Sequence, residues 1–482
     1  MTEAAARTLS VRNPRNGEYD YRFEAPSDDA LAARARQLRI AQRDWSALPV
    51  EDRISVLERW AIALREHRAA IVEALAVDTG RQLIAAAEHG GVLGSIERWC
   101  RAAPRLLEER DGQSVANPAI TFRSQLVPYP LVGVISPWNF PLTLSLIDAI
   151  PALLAGCAVL VKPSEVAPRF AEPLKASIAD VPELARVLDL QPGDGQTGAA
   201  LIRLVDVVCF TGSVRTGRIV AEAAARQFIP AFLELGGKDP VIVTRSADVD
   251  RAAATVLRAS VLATGQACQS LERVYVDAAI YDEFVAKLVE KSSAVELTYP
   301  DPHAGAIGPL IFDKQADVIA EQIADARAKG ARVLCGGEVE THGGGRWVRP
   351  TVLVDVDHTM KVMTEETFGP VLPVMKYSTP DEAIELANDT EYGLSAAVIA
   401  GSLEEAEAIG RRIDAGGISL NDGALTGVMN EAEKNSFKLS GMGGSRMGPA
   451  GLTRFLRTKA LIRQTGTPAT IEMFDEANAR RR

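Results

Sequence analysis

The sequence predicts an α/β fold whose sheets are mainly parallel and covered by helices on both faces. Two observations carry this. From Val132 onward, short β-rich apolar runs alternate with amphipathic helical stretches. Those runs are apolar at nearly every position rather than at every second one, as strands buried on both faces require. The chain has 482 residues, enough for two or three domains at roughly 150 residues each. Its 47% hydrophobic and 24% charged residues supply a large core that needs no disulfide or metal.

The elements follow in order. Residues 28–78 carry helical periodicity, with Leu57, Trp60, Ala61 and Leu64 on one face. A second helical stretch is expected over 83–109, and together they form a layer wrapping the first sheet. Residues 119–130 read as a hairpin-like pair of strands. Buried strands are expected at 132–136, 158–162, 207–210 and 240–243, with a helix at 215–227 among those between them. Beyond Gly236 and Gly237 a second α/β unit begins. Its expected helices are 249–263, 281–292 and 314–329, and its strands 273–276, 370–375 and 396–399. ETHGGG (340–345) reads as an exposed turn. The tail from Gly466 loses strand character.

Charge and composition exclude several classes. The formal net charge is -10, which repels nucleic acid and anionic membranes, and the three arginines at 480–482 are too few to reverse that. The five cysteines (Cys100, Cys157, Cys209, Cys268 and Cys335) are scattered, as expected in a reducing compartment such as the cytoplasm. No His lies at ligand spacing from a Cys or another His, so no metal site is expected. The N-terminal residues lack the apolar region of a secretory signal. The most apolar run, 142–161, is interrupted by Asp148, Pro151 and Gly156 and reads as a buried helix followed by a buried strand.

Six segments can carry chemistry. Cys268, in GQACQSLERVYV (265–276), falls between a helix and a strand. Small Ala267 and nearby Gly265 leave room at its sulfur. A single cysteine is ordinarily a core residue, but polar Gln266, Gln269 and Ser270 argue against a dry core here. Glu234, in ELGGK (234–238), ends a strand ahead of a glycine pair and can serve as a general base or simply sit in an exposed turn. In SPWNFPL (136–142), Pro137 and Pro141 fix the backbone around Trp138 and Asn139. The Asn139 amide suits a developing oxyanion, or merely holds a local turn. KPSE (162–165) sets Lys162 and Glu165 past a strand end, where a carboxylate can accept from ribose hydroxyls. FTGSVRTGR (210–218) turns on Gly212, passes Ser213 and opens a helix whose amides can meet a pyrophosphate. In EETFGPV (365–371), Glu366 and Phe368 can face one side of an extended segment and grip a ribose and a planar ring. GDGQTG (193–198) fits G-x-G-x-x-G, but no clear strand precedes it, which makes it a weak dinucleotide signal.

The order and separation of these segments strongly resemble the aldehyde dehydrogenase superfamily. The resemblance runs from about residue 13 to 459, with YGLS (392–395), GGISLN (416–421) and KLSGMGGSRMG (438–448) as later landmarks. It implies a Rossmann-like cofactor domain (1–116 and 134–235), an α/β catalytic domain (236–445) and a small β bridging or oligomerisation element (117–133 and 446–482). It also implies roles. Cys268 resembles the nucleophile, Glu234 the base that activates the hydrolytic water, and Asn139 with the Cys268 N–H the oxyanion hole. Lys162 and Glu165 would hold the adenosine ribose, Gly212 and Ser213 the pyrophosphate, and Glu366 and Phe368 the nicotinamide ribose and ring. Trp138 and Gly236 would line the same cleft.

The implied reaction oxidises an aldehyde to a carboxylic acid and reduces NAD(P), through a thiohemiacetal and a thioester on Cys268. Glu165 repels a 2′-phosphate, so NAD is the expected cofactor and NADP the alternative. Glu234 favours hydrolysis over transfer to coenzyme A, and a non-catalytic relative would be expected to have lost Cys268, Glu234 or Asn139. By family position, residues 421–444 overhang the substrate tunnel. Met429, Phe437 and Leu439 there suggest an apolar mouth, and no Arg in the stretch offers a clamp. A hydrophobic or aromatic aldehyde is therefore expected, with a semialdehyde as the alternative. The exposed strand edge at 119–130 predicts a homodimer or homotetramer.

Overall fold

The computed structural model describes residues 7–477, so the basic 480–482 end and the first six residues lie outside the described part. The chain opens with an antiparallel pair, Arg7–Arg12 and Tyr19–Ala25, which the sequence reading did not anticipate. The helical 28–78 region is three helices, Asp28–Ala47, Val50–Glu66 and Arg68–Thr79. Ser27 caps the first by accepting from the Ala30 N–H, and left-handed Gly80 ends the third. The fourth, Gln82–Leu106, follows at once. Leu57, Trp60, Ala61 and Leu64 are all buried, as their spacing requires.

Among the described residues the first α/β unit is a six-stranded sheet. Its strands run in the spatial order Gly441–Met442, Ala231–Glu234, Val207–Thr211, Leu131–Ile135, Ala158–Lys162, Leu188–Leu190. All pair in parallel except Gly441–Met442, which is antiparallel to Leu233 and Glu234. Strand order reverses between Leu131–Ile135 and Val207–Thr211, so a crevice opens at the carboxyl ends of these two strands, where α/β sheets bind ligands. The apolar 142–161 run breaks into Pro141–Leu146, Ala149–Ala155 and Ala158–Lys162. No helix among the described residues is long and apolar enough to cross a membrane.

The second unit is a seven-stranded sheet in the order Arg332–Cys335, Thr351–Val354, Val371–Tyr377, Leu271–Asp277, Asp239–Val243, Ser395–Ile399, Gly417–Leu420. Only the Arg332–Cys335 edge is antiparallel.

Two sequence expectations need correction. Residues 119–130 are not a hairpin. Ile120–Pro128 is one strand with no turn signal inside it, and it pairs with Asp111–Gln113 on one side and Leu456–Gln464 on the other. ETHGGG is not all turn either. Only Gly343 and Gly344, both at positive φ, turn between the paired strands Val339–His342 and Gly345–Val348. After Gln464 the described part of the tail, to residue 477, makes only a short 3-10 turn, Ile471–Phe474, with Ile471, Met473 and Phe474 exposed.

Candidate active site

A cleft of about 720 Å³ opens at that crevice. Strand ends of the six-stranded sheet supply Ile135, Lys162 and Thr211, and the second unit supplies Cys268, Glu366 and Phe368.

Cys268 follows an unusual turn. The helix Val249–Val261 ends in Leu262–Gly265, where Ala263, Thr264 and Gly265 all take left-handed backbones, with φ of 55°, 64° and 68°. That conformation costs a non-glycine residue on the order of 1 kcal/mol or more. Thr264 offsets part of the cost through its hydroxyl, which accepts from the Gly308 N–H at 3.0 Å and lies 3.2 Å from the Gly308 carbonyl. At Gly265 a Cβ would stand 2.4 Å from the Gly369 oxygen, so the turn packs backbone to backbone on the 365–371 segment. Cys268 emerges partly exposed in the cleft wall. Its N–H donates to no protein acceptor among the described residues. Burial pushes its thiol up to about 12; Asp239 and Glu366 add to the shift and Lys434 opposes it.

Asn139 is buried. Its Nδ2 donates to the Gln266 carbonyl at 2.9 Å, which leaves the second N–H of the amide for a ligand. Its own carbonyl accepts from the Arg81 guanidinium, which also donates to the Ala263 carbonyl at 3.3 Å. Gln266 is held in turn by the Pro309 carbonyl and the Ile311 N–H. Asn139 is thus tied, directly and through Arg81, to the backbone of the turn that precedes Cys268.

Glu234 ends its strand as expected; its neighbours Leu235 and Gly236 line the cleft, and Glu234 does not. Oε2 accepts from the Ser436 hydroxyl at 2.7 Å, and Oε1 lies 3.9 Å from Arg446 Nε. Arg446 is buried, donates to Asp148 at 3.2 Å and to Thr211 at 2.8 Å, and has no hydrogen-bond partner for its Nε. Asp148 is shared with a second arginine, Arg454.

The rest of the cleft is long and polar at its ends. Lys162 Nζ donates to the Gly193 carbonyl at 2.6 Å and lies 3.6 Å from the half-exposed Glu165 carboxylate. Gly212 leads to Ser213, whose hydroxyl accepts from the Thr216 N–H and caps the 14-residue helix Val214–Gln227. At the opposite end Glu366 Oε1 accepts the Gly237 N–H at 3.1 Å. A Cβ on Gly236 would meet Glu366 Oε2 at 2.5 Å, so only glycine lets that carboxylate lie there. Burial and then Glu272 push Glu366 up to about 8. The Trp138 ring meets Phe368 edge-on at 5.4 Å and Phe312 at 5.9 Å.

Comparison with known proteins fits this geometry. Residues 1–461 match the model of the Aldehyde dehydrogenase family. The chain belongs to the aldehyde dehydrogenase family. A solved structure from Anabaena variabilis, assigned as an aldehyde dehydrogenase, is 54% identical and superposes with a TM-score of 0.94, covering 96% of this chain and 99% of that one. A Mycobacterium tuberculosis aldehyde dehydrogenase complexed with NAD+ is 30% identical, with a TM-score of 0.90 and 97% of each chain covered. A Mycolicibacterium smegmatis protein assigned as a succinate-semialdehyde dehydrogenase [NADP(+)] is 38% identical over 439 residues, 90% of this chain and 84% of its own. Membership makes this chain an oxidoreductase that oxidises an aldehyde with reduction of NAD(P).

Of the residues singled out from the sequence, Cys268, Asn139, Trp138, Lys162, Glu165, Gly212, Ser213, Gly236, Glu366 and Phe368 line the aldehyde dehydrogenase cleft; Glu234 is not part of its lining. Met429, Phe437 and Leu439, expected at a substrate mouth and not in this cleft, are not part of its lining. Met429 is exposed, and Phe437 pairs with Gly393 at the surface. GDGQTG was undervalued. A strand does precede it, the three-residue Leu188–Leu190, and Asp194 caps the following helix Gly195–Ile202 at the cleft wall. Arg81, Lys238, Glu272 and Ser436 were missed. Each acts by fixing another residue, and no local motif marks such a role.

Proposed function

We propose that this aldehyde dehydrogenase works by covalent catalysis at Cys268 and releases its acyl product by hydrolysis. The observation that carries this reading is the convergence, from both α/β units, of a free cysteine, a buried amide donor and a two-ended polar cleft. The Cys268 thiol gives its proton to solvent, and the thiolate attacks the aldehyde carbon to form a thiohemiacetal oxyanion. The Cys268 N–H and the free Asn139 N–H receive its oxyanion. When bound, the nicotinamide supplies the hydride acceptor. A thioester remains on Cys268, and Glu234 takes a proton from the water that attacks it. The carboxylic acid leaves and the sulfur regains a proton.

The cleft suits a dinucleotide. It lies at the switch point of the sheet, with the N-terminus of Val214–Gln227 for phosphates. Glu165 and Glu366 serve ribose hydroxyls at its two ends, Lys162 supports the first, and Phe368 with Trp138 flanks the ring. Gly212, Ser213 and Gly236 keep the backbone open. Glu165 disfavours a 2′-phosphate, so NAD is the preferred cofactor and NADP the poorer one. In this reading the cofactor domain is 1–116 with 134–235, the catalytic domain 236–445, and the bridging element 117–133 with 446–482. The bridging sheet joins subunits into a homodimer or homotetramer, and the five free cysteines suit the cytoplasm.

Glu234→Gln tests the hydrolytic step. It is expected to give a full burst of reduced cofactor followed by slow turnover. An unchanged steady state would remove Glu234 from the reaction. A coenzyme A thioester among the products would replace hydrolysis with acyl transfer.

A further inference from the structure

The loop at 421–440 brings one cation to the surroundings of Cys268. The Lys434 N–H donates to the Ser445 hydroxyl at 3.2 Å. The Lys434 stem crosses Gly417, where a Cβ would stand 2.9 Å from Lys434 Cδ. Gly417 pairs in the sheet with Ser395, whose N–H donates to Asp239 at 3.1 Å. Asp239 Oδ1 and the Cys268 carbonyl in turn lie 2.7 and 2.8 Å from the Cβ position of Gly237. Lys434, Asp239 and Cys268 therefore share one neighbourhood, and the ammonium opposes the upward push on both titrating groups.

The ammonium is nonetheless unclaimed. Among the described residues Lys434 Nζ makes no hydrogen bond and no ion pair, whereas Lys438, four residues on, is tied to Asp414 and to two carbonyls. Lys434 is only partly buried, so its charge need not be neutralised by the protein. Beside it, Thr426 Oγ1 donates to Gln269 Oε1 at 2.8 Å, and Thr426 Cγ2 stands 2.7 Å from the same Gly417 position that Lys434 crosses. This fixes the Gln269 amide next to Cys268 and leaves its Nε2 with no protein acceptor among the described residues. Gly417, Gln269, Thr426 and Lys434 are absent from the cofactor cleft lining, so this pair of donors is not part of the cofactor cleft.

We propose that Lys434, with the Gln269 amide beside it, is the carboxylate clamp of the substrate site, and that the enzyme prefers aldehydes bearing a carboxylate at the far end of a short chain. The proposal rests on Cys268 as the nucleophile. It replaces the hydrophobic or aromatic aldehyde expected from Met429, Phe437 and Leu439, and it needs no arginine. The ammonium and the amide together bind the two oxygens of an ω-oxo carboxylate while its aldehyde carbon meets the sulfur.

The test compares kcat/KM for two matched pairs, 4-oxobutanoate with butanal and 5-oxopentanoate with pentanal. It uses the wild-type chain, Lys434→Met and Lys434→Arg. The wild type is expected to favour one carboxylated member over its neutral partner by about tenfold or more. Lys434→Met is expected to lower that ratio by about 10- to 100-fold, chiefly through KM, and Lys434→Arg to retain most of it. A wild-type ratio near one for both pairs overturns the clamp without any variant. So does an equal loss on charged and neutral aldehydes in Lys434→Met, which would mean that the cation serves the sulfur alone. Turnover retained in Cys268→Ala would instead remove the nucleophile reading on which the clamp depends, and so separates the two failures.

Discussion

As the proposed nucleophile, Cys268 has to give up its proton before it attacks, yet its burial, and after that Asp239 and Glu366, resist that. With its thiol pushed up to about 12, the resting sulfur is protonated across the physiological range. Iodoacetamide inactivation of the free chain should therefore climb about tenfold per pH unit between about pH 8 and 10 with no plateau. A plateau near the ordinary thiol pKa would contradict that picture. Cys268→Ala should abolish aldehyde oxidation, a loss on the order of 10⁶ where a nucleophile is removed from a comparable covalent enzyme. Asn139→Ala should lower kcat by roughly 10²–10³, the usual effect of deleting one oxyanion donor. At this scale the residues that line the cleft were legible in the sequence, because Cys268, Asn139, Glu366 and Phe368 sit in short motifs bounded by Pro and Gly. Arg81 was not legible. It reaches the Asn139 carbonyl from 58 residues away, and nothing beside it in the chain announces that contact.

The segment 365–371 is held by a buried ion pair from elsewhere. Glu272 accepts the Thr367 and Phe368 N–H groups at 2.7 and 2.8 Å, and Lys238 donates to both Glu272 and the Thr367 hydroxyl. That clamp keeps Phe368 at a φ of 51°, a left-handed conformation that an aromatic residue rarely adopts. Glu272→Gln leaves Lys238 without its counter-charge. Denaturant unfolding should show a loss of about 3–5 kcal/mol, and the KM for the cofactor should rise more than kcat falls. Gly265→Ala should cost at least about 1–2 kcal/mol from the left-handed backbone alone. It should also disturb Cys268 and Phe368 together, because the added methyl meets the Gly369 oxygen; normal stability and activity in this variant would contradict the packing described. The central strands were legible because burial on both faces writes continuous apolar runs. The 120–128 strand was misread as a pair because its short local partner lies just before it at 111–113 and its long partner, 456–464, is brought to it only by the tertiary fold.

Across the whole molecule, the strand Leu456–Gln464 lies at the edge of its three-stranded sheet and is exposed along nearly its full length. Leu461 and Ile462 add apolar side chains to that open edge. Light scattering should accordingly return a multiple of 51.6 kDa, and Ile462→Lys should shift it towards the single-chain mass. A monomeric wild type would contradict the proposed assembly. The segment just before that strand reaches back to the end of Ala231–Glu234. Glu234 is seated by Ser436, which follows it by 202 residues, and Gly441–Met442 then pairs beside it. At roughly 5–20 residues per second, translation leaves the carboxylate waiting on the order of 10–40 s for its partner. Cys268, Asn139, Glu366 and Phe368 are thus all synthesised before the segment that seats the Glu234 carboxylate.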